Sequence, residues 1–176
     1  MSFFKLNKSP SILFLLLFIV ACNASTIDTK KIAQLGIKNF DTPANNVFSS
    51  GQPTKKELSS LAKLGVKHIV NLRPAQEQSW SEADYVASLG MQYHYIPVAG
   101  ALGITVDNAA QLTKLLETLK NEPTLVHCSS SNRVGALVAI NARAQDKNSI
   151  EQSIEKGRGW GLKGLEALVR EKLSTL

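Results

Sequence analysis

The chain has 176 residues and carries 20 Lys+Arg against 14 Asp+Glu, a formal net charge of +6. That length gives one ordinary domain. The basic residues are scattered, no aromatic-basic stripe accompanies them, and nucleic-acid binding is excluded on that ground; His68, His94 and His127 show no metal-ligand spacing and no Cys-x-x-Cys occurs among the two cysteines, so neither a metal nor a cofactor is expected.

Lys5 and Lys8 precede an uncharged run from Ile12 to Ala21. A positive n-region followed by a short apolar stretch is the pattern of a secretory leader, and the run is short for a span of roughly 20 apolar residues. Ile19-Val20-Ala21-Cys22 resembles a bacterial lipobox, with the signal ending at Ala21 and Cys22 lipidated; cleavage after Ala24 is the other route. The expected organisation is a signal peptide over 1–24, an arm over 25–39 and a domain over 40–176. Loss of Lys5 and Lys8 takes the charge from +6 to +4. The expected location is the periplasm or envelope of a Gram-negative bacterium, with membrane contact only through a lipid on Cys22. Either route leaves Cys128 without an internal partner, and a lone thiol in an oxidising compartment is buried or used.

Residues up to Asn46 are polar and read as a lead-in. Val47-Phe48-Ser49 forms a short strand ending at Gly51. Thr54 with Glu57 predicts a capping box, and Leu58, Leu61 and Ala62 keep helical spacing up to Gly65. Val66–Leu72 reads as a strand, Glu82–Leu89 as a helix and Met91–Ile96 as a strand. Thr105 caps a helix with Leu112, Leu115, Leu116 and Leu119 on one face. Thr124–His127 is a strand and Val134–Ala144 a helix. Two more helices, over about 149–156 and 162–173, flank a glycine-rich turn. Strands alternating with helices predict an α/β fold: a central, mainly parallel sheet of four to five strands flanked by helices. Ligands of such sheets bind beyond the carboxyl ends of the strands, where Cys128 sits.

His127-Cys128-Ser129-Ser130-Ser131-Asn132-Arg133 is the one reactive constellation. A thiol at a strand end, a polar loop, a helix N-terminus and an arginine make an anion cradle. Helix N-terminus and guanidinium both favour the thiolate. Trp80 lines a pocket or covers core; Trp160, in its glycine turn, is a packing anchor.

Ser50-Gly51-Gln52-Pro53, then Leu61 through Asn71-Leu72-Arg73-Pro74, then His127-Cys128 with Asn132-Arg133-Val134-Gly135-Ala136, together resemble the bacterial phosphatase-like family found beside beta-lactamase-like hydrolases, whose members are similar to dual-specificity tyrosine phosphatases. The resemblance covers about residues 40–176. It implies a tyrosine phosphatase-like fold, Cys128 as nucleophile forming a phosphocysteine, and Arg133 gripping two phosphate oxygens. Backbone N–H groups from Ser129, Ser130, Ser131, Asn132 and Arg133 would hold the remaining charge. His127 would orient the loop and Gly135 would let helix and loop pack closely; Gln52 and Arg73, each following a strand, are placed to face the same pocket. The substrate would be a small or envelope-borne phosphate ester, since ATP-made phosphoproteins are not expected outside the cytoplasm.

Three departures stand out. The tyrosine phosphatase signature has five residues between cysteine and arginine, and this chain has four, the loop length of a rhodanese-like sulfurtransferase carrying a persulfide. Ser131 stands where such loops carry glycine; if positive φ is needed there, serine costs roughly 1–2 kcal/mol. Asp107 is the nearest candidate general acid, yet it falls in the first turn of a helix, where the macrodipole alone accounts for it. A missing acid would cost on the order of 10²–10⁴ in rate. A sulfurtransferase and a weakly active anion-binding module are therefore the alternatives to a phosphatase.

Overall fold

The structure, a computed structural model, describes residues 27–120 and 122–176. The leader, both cleavage routes and Cys22 lie outside the described residues. Within them no helix is long and apolar enough to cross a membrane.

Five strands form one sheet: β1 (Asp41–Ala44), β2 (Val47–Ser50), β3 (His68–Asn71), β4 (Gln92–Tyr95) and β5 (Thr124–His127), in the order β1-β2-β5-β3-β4. Only β1 pairs antiparallel, with β2; the other three pairings are parallel. The α/β sheet is thus mainly parallel, as the alternation of patterns predicts. Every residue of β3 and β5 is buried, which central strands covered on both faces require. Successive residues feed opposite sides: Ile69 and Leu125 join Phe48, Leu58 and Val86, whereas Val70 and Val126 join Leu112, Leu137 and Ile140.

The first face carries α1 (Thr29–Ala33), α2 (Lys55–Lys63) and α3 (Glu82–Ser88); the second carries α4 (Val106–Thr118), α5 (Asn132–Ala144), α6 (Ile150–Arg158) and α7 (Glu166–Leu173). Thr54 and Glu57 form the predicted capping box on α2, and Ser149 with Gln152 forms another on α6. Trp80 packs against the first-face core, edge-on to Tyr85.

The lead-in differs from expectation. From residue 27 the arm is folded: Asp28 caps α1, and Ile32 and Ile37 are buried in the first-face core. The polar stretch after it supplies edge strand β1, with Asn46 turning into β2 at φ 57°. Two buried isoleucines among polar neighbours suffice to dock the segment, and no periodicity over so few residues announces it. The last helix is shorter than 162–173, because residues 159–165 form an irregular glycine-rich turn against α5.

Candidate active site

β5 lies between β2 and β3, so its carboxyl end opens at the centre of the sheet edge. Cys128 is the next residue and is 1% exposed. The loop of residues 128–131 then turns into α5. It is braced from below: Cys128 N–H donates to the Ser50 carbonyl at 3.4 Å, Asn39 Nδ2 donates to the Ser130 carbonyl at 3.0 Å, and Gly51 bridges to Ser130. A Cβ on Gly51 would stand 3.0 Å from the Ser129 carbonyl. That close approach explains a glycine there.

Ser131 is the N-cap of α5 with φ 65°, the left-handed conformation anticipated from its position in the loop. It makes no capping hydrogen bond. Its hydroxyl donates instead to the Trp160 carbonyl at 3.1 Å, which offsets part of the backbone strain. The first-turn N–H groups of α5 therefore stay uncapped, the arrangement that binds anions. Ser130 N–H points at Cys128 Sγ, 3.5 Å away. Asn132 contributes only backbone: its carboxamide oxygen accepts from Lys163 and Leu165 N–H and ties the α6–α7 turn to the loop.

Arg133 is held by every neighbour. Nη1 donates to the Val98 carbonyl at 2.8 Å and to Glu77 Oε1 at 2.9 Å; Nη2 donates to Glu77 Oε2 at 2.6 Å and to Ser129 Oγ at 2.8 Å. Burial works against the guanidinium charge, but hydrogen bonds to Glu77 and the charge of Cys128 outweigh it and raise its pKa. A guanidinium has five N–H donors, and only Nε–H is left over. A two-point grip on an oxyanion therefore needs Ser129 Oγ to give up Nη2. The expected bidentate role of Arg133 is available only with that rearrangement.

Glu77, in a single 3-10 turn (Ala75–Glu77), was invisible to pattern reasoning. It bridges both ends of the loop, accepting from Ser129 Oγ at 2.8 Å as well as from Arg133. The Arg133 hydrogen bond is the chief reason its carboxyl lies below the usual range; partial burial opposes and Ser129 assists. Arg73 faces the same carboxylate, Nε to Oε2 at 3.6 Å, and also donates to the Gln52 side chain and the Glu77 carbonyl. Arg73 and Gln52 thus stand beside the Glu77 carboxylate that braces the loop.

Beneath Cys128 lies a buried polar layer. His127 is fully buried, its Nε2 2.9 Å from Glu82 Oε1. Glu82, 2% exposed, accepts at Oε2 from Gln52 and Asn71, each at 3.0 Å. Asn71 also donates to the Tyr93 hydroxyl, a phenol that burial pushes up to about 12. Its carboxamide oxygen takes Arg73 N–H at 2.7 Å. His127 thus sits against Glu82 directly before the loop. In the sequence Glu82 is an ordinary first-turn acid of a helix, and nothing local separates it from one.

Asp107 is exposed in the first turn of α4, and no hydrogen bond joins it to the loop. The expected general acid is not brought to the site. Among the described residues no cluster suits a metal.

The tyrosine phosphatase family model matches residues 35–152. A beta-lactamase hydrolase-like protein of Xylella fastidiosa is 33% identical over 96 residues, and one of Agrobacterium fabrum 30% identical over 96 residues. Each match covers 52% of this chain and 22% of the relative's length. Among solved structures, a DUF442 protein of Shewanella putrefaciens CN-32 superposes with a TM-score of 0.60 at 22% identity, covering 82% of this chain and 96% of that one. The catalytic core of the PP-IP phosphatase SIW14 from S. cerevisiae gives 0.62 at 19% identity, over 78% and 85% of the two chains. These two share the fold.

Proposed function

The chain belongs to the tyrosine phosphatase family, and on that premise we propose that it is an exported hydrolase of phosphate monoesters acting through Cys128. The observation that carries the reading is a thiol at the end of the central strand, with Ser130 N–H directed at its sulfur, in a loop that leads into the uncapped N-terminus of α5 and Arg133. Sγ attacks phosphorus in line as the ester oxygen departs, so an S–P bond forms and a P–O bond breaks. Water then cleaves the phosphocysteine, releases inorganic phosphate and regenerates the thiolate. Arg133 and the loop N–H groups hold the equatorial oxygens, where charge gathers in the transition state.

Asp107, exposed in the first turn of α4 and without a hydrogen bond to the loop, is not assigned to protonate the leaving oxygen. Esters whose leaving group departs unprotonated are favoured, and aryl phosphates are the natural probe. Export rests on the leader pattern over residues 1–24, and small or envelope-borne esters fit that compartment.

The four-residue spacing between Cys128 and Arg133 favours one second reading, a sulfurtransferase with a persulfide on Cys128. A paired assay separates the two. The purified protein is given an aryl phosphate and, separately, thiosulfate with cyanide, beside Cys128→Ser and Arg133→Ala. Phosphate release lost in both variants supports the phosphatase. Thiocyanate formed in place of phosphate release overturns it. Retained phosphate binding with neither activity leaves an anion-binding module.

A further inference from the structure

On the second face of the sheet, with none of residues 128–133 in its lining, a cavity of about 310 Å³ opens between the β1–β2 hairpin, α4, α5 and the end of α6. Its walls are apolar: Val47, Leu112, Leu116, Val138 and the Trp160 indole. That volume lies at the small end of ligand pockets, and the lining is of their usual kind.

Asn141 is the exception in the lining. It sits on α5 among Leu137, Ala139, Ile140 and Ala142, all buried. It is only 8% exposed, lines the cavity, and its carboxamide has no hydrogen-bond partner among the described residues. An amide set in a mainly apolar wall and open to the cavity is placed to pair with a polar group that enters it.

The rim carries two lysines and a glutamate, and of the lysines only Lys120, exposed there, has no carboxylate partner among the described residues. Lys156 stands at the same mouth, 2.8 Å from Asp146 Oδ2. Glu117 is the one carboxylate in the lining. An apolar slot with an amide donor inside and ammonium groups at its mouth matches an aliphatic chain ending in a carboxylate.

We propose that this cavity is a binding site for a medium-chain aliphatic carboxylate of about eight to ten carbons. The chain lies along Leu112, Leu116, Val138 and Trp160. The carboxylate accepts from Asn141 Nδ2 and faces Lys120.

Trp80 and Trp160 are the two tryptophans, and only Trp160 lines the cavity. The full-length protein carrying Trp80→Phe therefore reports on the site alone. Titration with decanoate should change Trp160 fluorescence saturably, with half-saturation in the micromolar to sub-millimolar range. Asn141→Leu should weaken binding about tenfold or more, and Lys120→Glu, a surface change that leaves the core intact, several-fold. Decyltrimethylammonium, with the same chain and the opposite charge, should bind at least tenfold more weakly. The proposal is overturned if decanoate gives no saturable change, if the cation binds as well as the carboxylate, or if both variants bind decanoate like the parent.

Discussion

Gly135→Ala tests how the anion loop is held. A Cβ on Gly135 would stand 2.3 Å from Leu162 N, 2.4 Å from the Gly157 carbonyl oxygen and 2.9 Å from Leu162 Cα. All three are backbone atoms, so no side chain can swing aside. Ordinary contact begins at 3.4 Å, and 3.4 minus 2.3 means α5 and the turn must part by about 1.1 Å. Gly157 faces the same junction, its own Cβ position 2.7 Å from the Gly135 carbonyl. Overpacking of this kind costs about 3 kcal/mol or more, at the upper end of its range. Alanine returns about 1 kcal/mol in helix propensity. The net loss is about 2 kcal/mol, a fall in Tm of roughly 4–8 °C for a domain of this size. Thermal denaturation followed by circular dichroism measures it. Gly159→Ala is the control: its Cβ would meet nothing closer than 3.5 Å, and its Tm should stay within about 2 °C. Because the turn holds Ser131 through the Trp160 carbonyl, the alanine variant should also bind phosphate more weakly. A Gly135→Ala protein as stable as wild type refutes the argument.

Four further outcomes are expected. Glu82→Ala strands His127, Asn71 and Gln52 in a buried layer and should cost about 3–5 kcal/mol in a denaturant titration; a loss under 1 kcal/mol would mean water replaces the carboxylate. Ser131→Ala keeps the left-handed strain and loses the Trp160 bond, so it should be less stable by about 1 kcal/mol, whereas Ser131→Gly loses the bond but relieves the strain and should fall near wild type; equal losses in both would show that the strain is negligible. Glu77→Gln should lower kcat/KM on an aryl phosphate about tenfold, because two of four bonds that orient Arg133 weaken while Glu77 is exposed enough for its repulsion of substrate to be screened; unchanged or raised kcat/KM would make Glu77 a bystander or a competitor of substrate. Burial, and then the charge of His68, lowers the pKa of His94. Its folded-state pKa lies below the unfolded value, so the unfolded chain takes up the proton first. The stability it contributes is complete above about pH 6.5 and is lost as pH falls from there through the folded-state value. Wild type should lose more stability than His94→Gln over that interval, and parallel stability–pH curves would contradict the assignment.

Periodicity and capping chemistry placed β2–β5 and the helices α2 to α6, because each is a local rule obeyed over several residues: Thr54 with Glu57, alternation along Met91–Ile96, leucines three and four apart in α4. The reactive loop was equally legible, since Cys128, Ser131 and Arg133 are neighbours in the chain and Ser131 stands where loops of this kind carry glycine. The partners of that loop were not. Glu77 lies 56 residues before Arg133 and Glu82 lies 45 before His127; each looks like a solvated acid until β3 and β5 pair in register, Asn71 beside His127, and bring the two loops together. Tertiary structure also left Asp107 exposed without a hydrogen bond to the loop and turned the Asn132 side chain toward residues 163–165. The sequence alone determined β2–β5, α2 to α6 and which thiol they present, because those depend on contacts between near neighbours. Which carboxylates surround that thiol depended on strand order, which brings distant residues together and leaves no local trace.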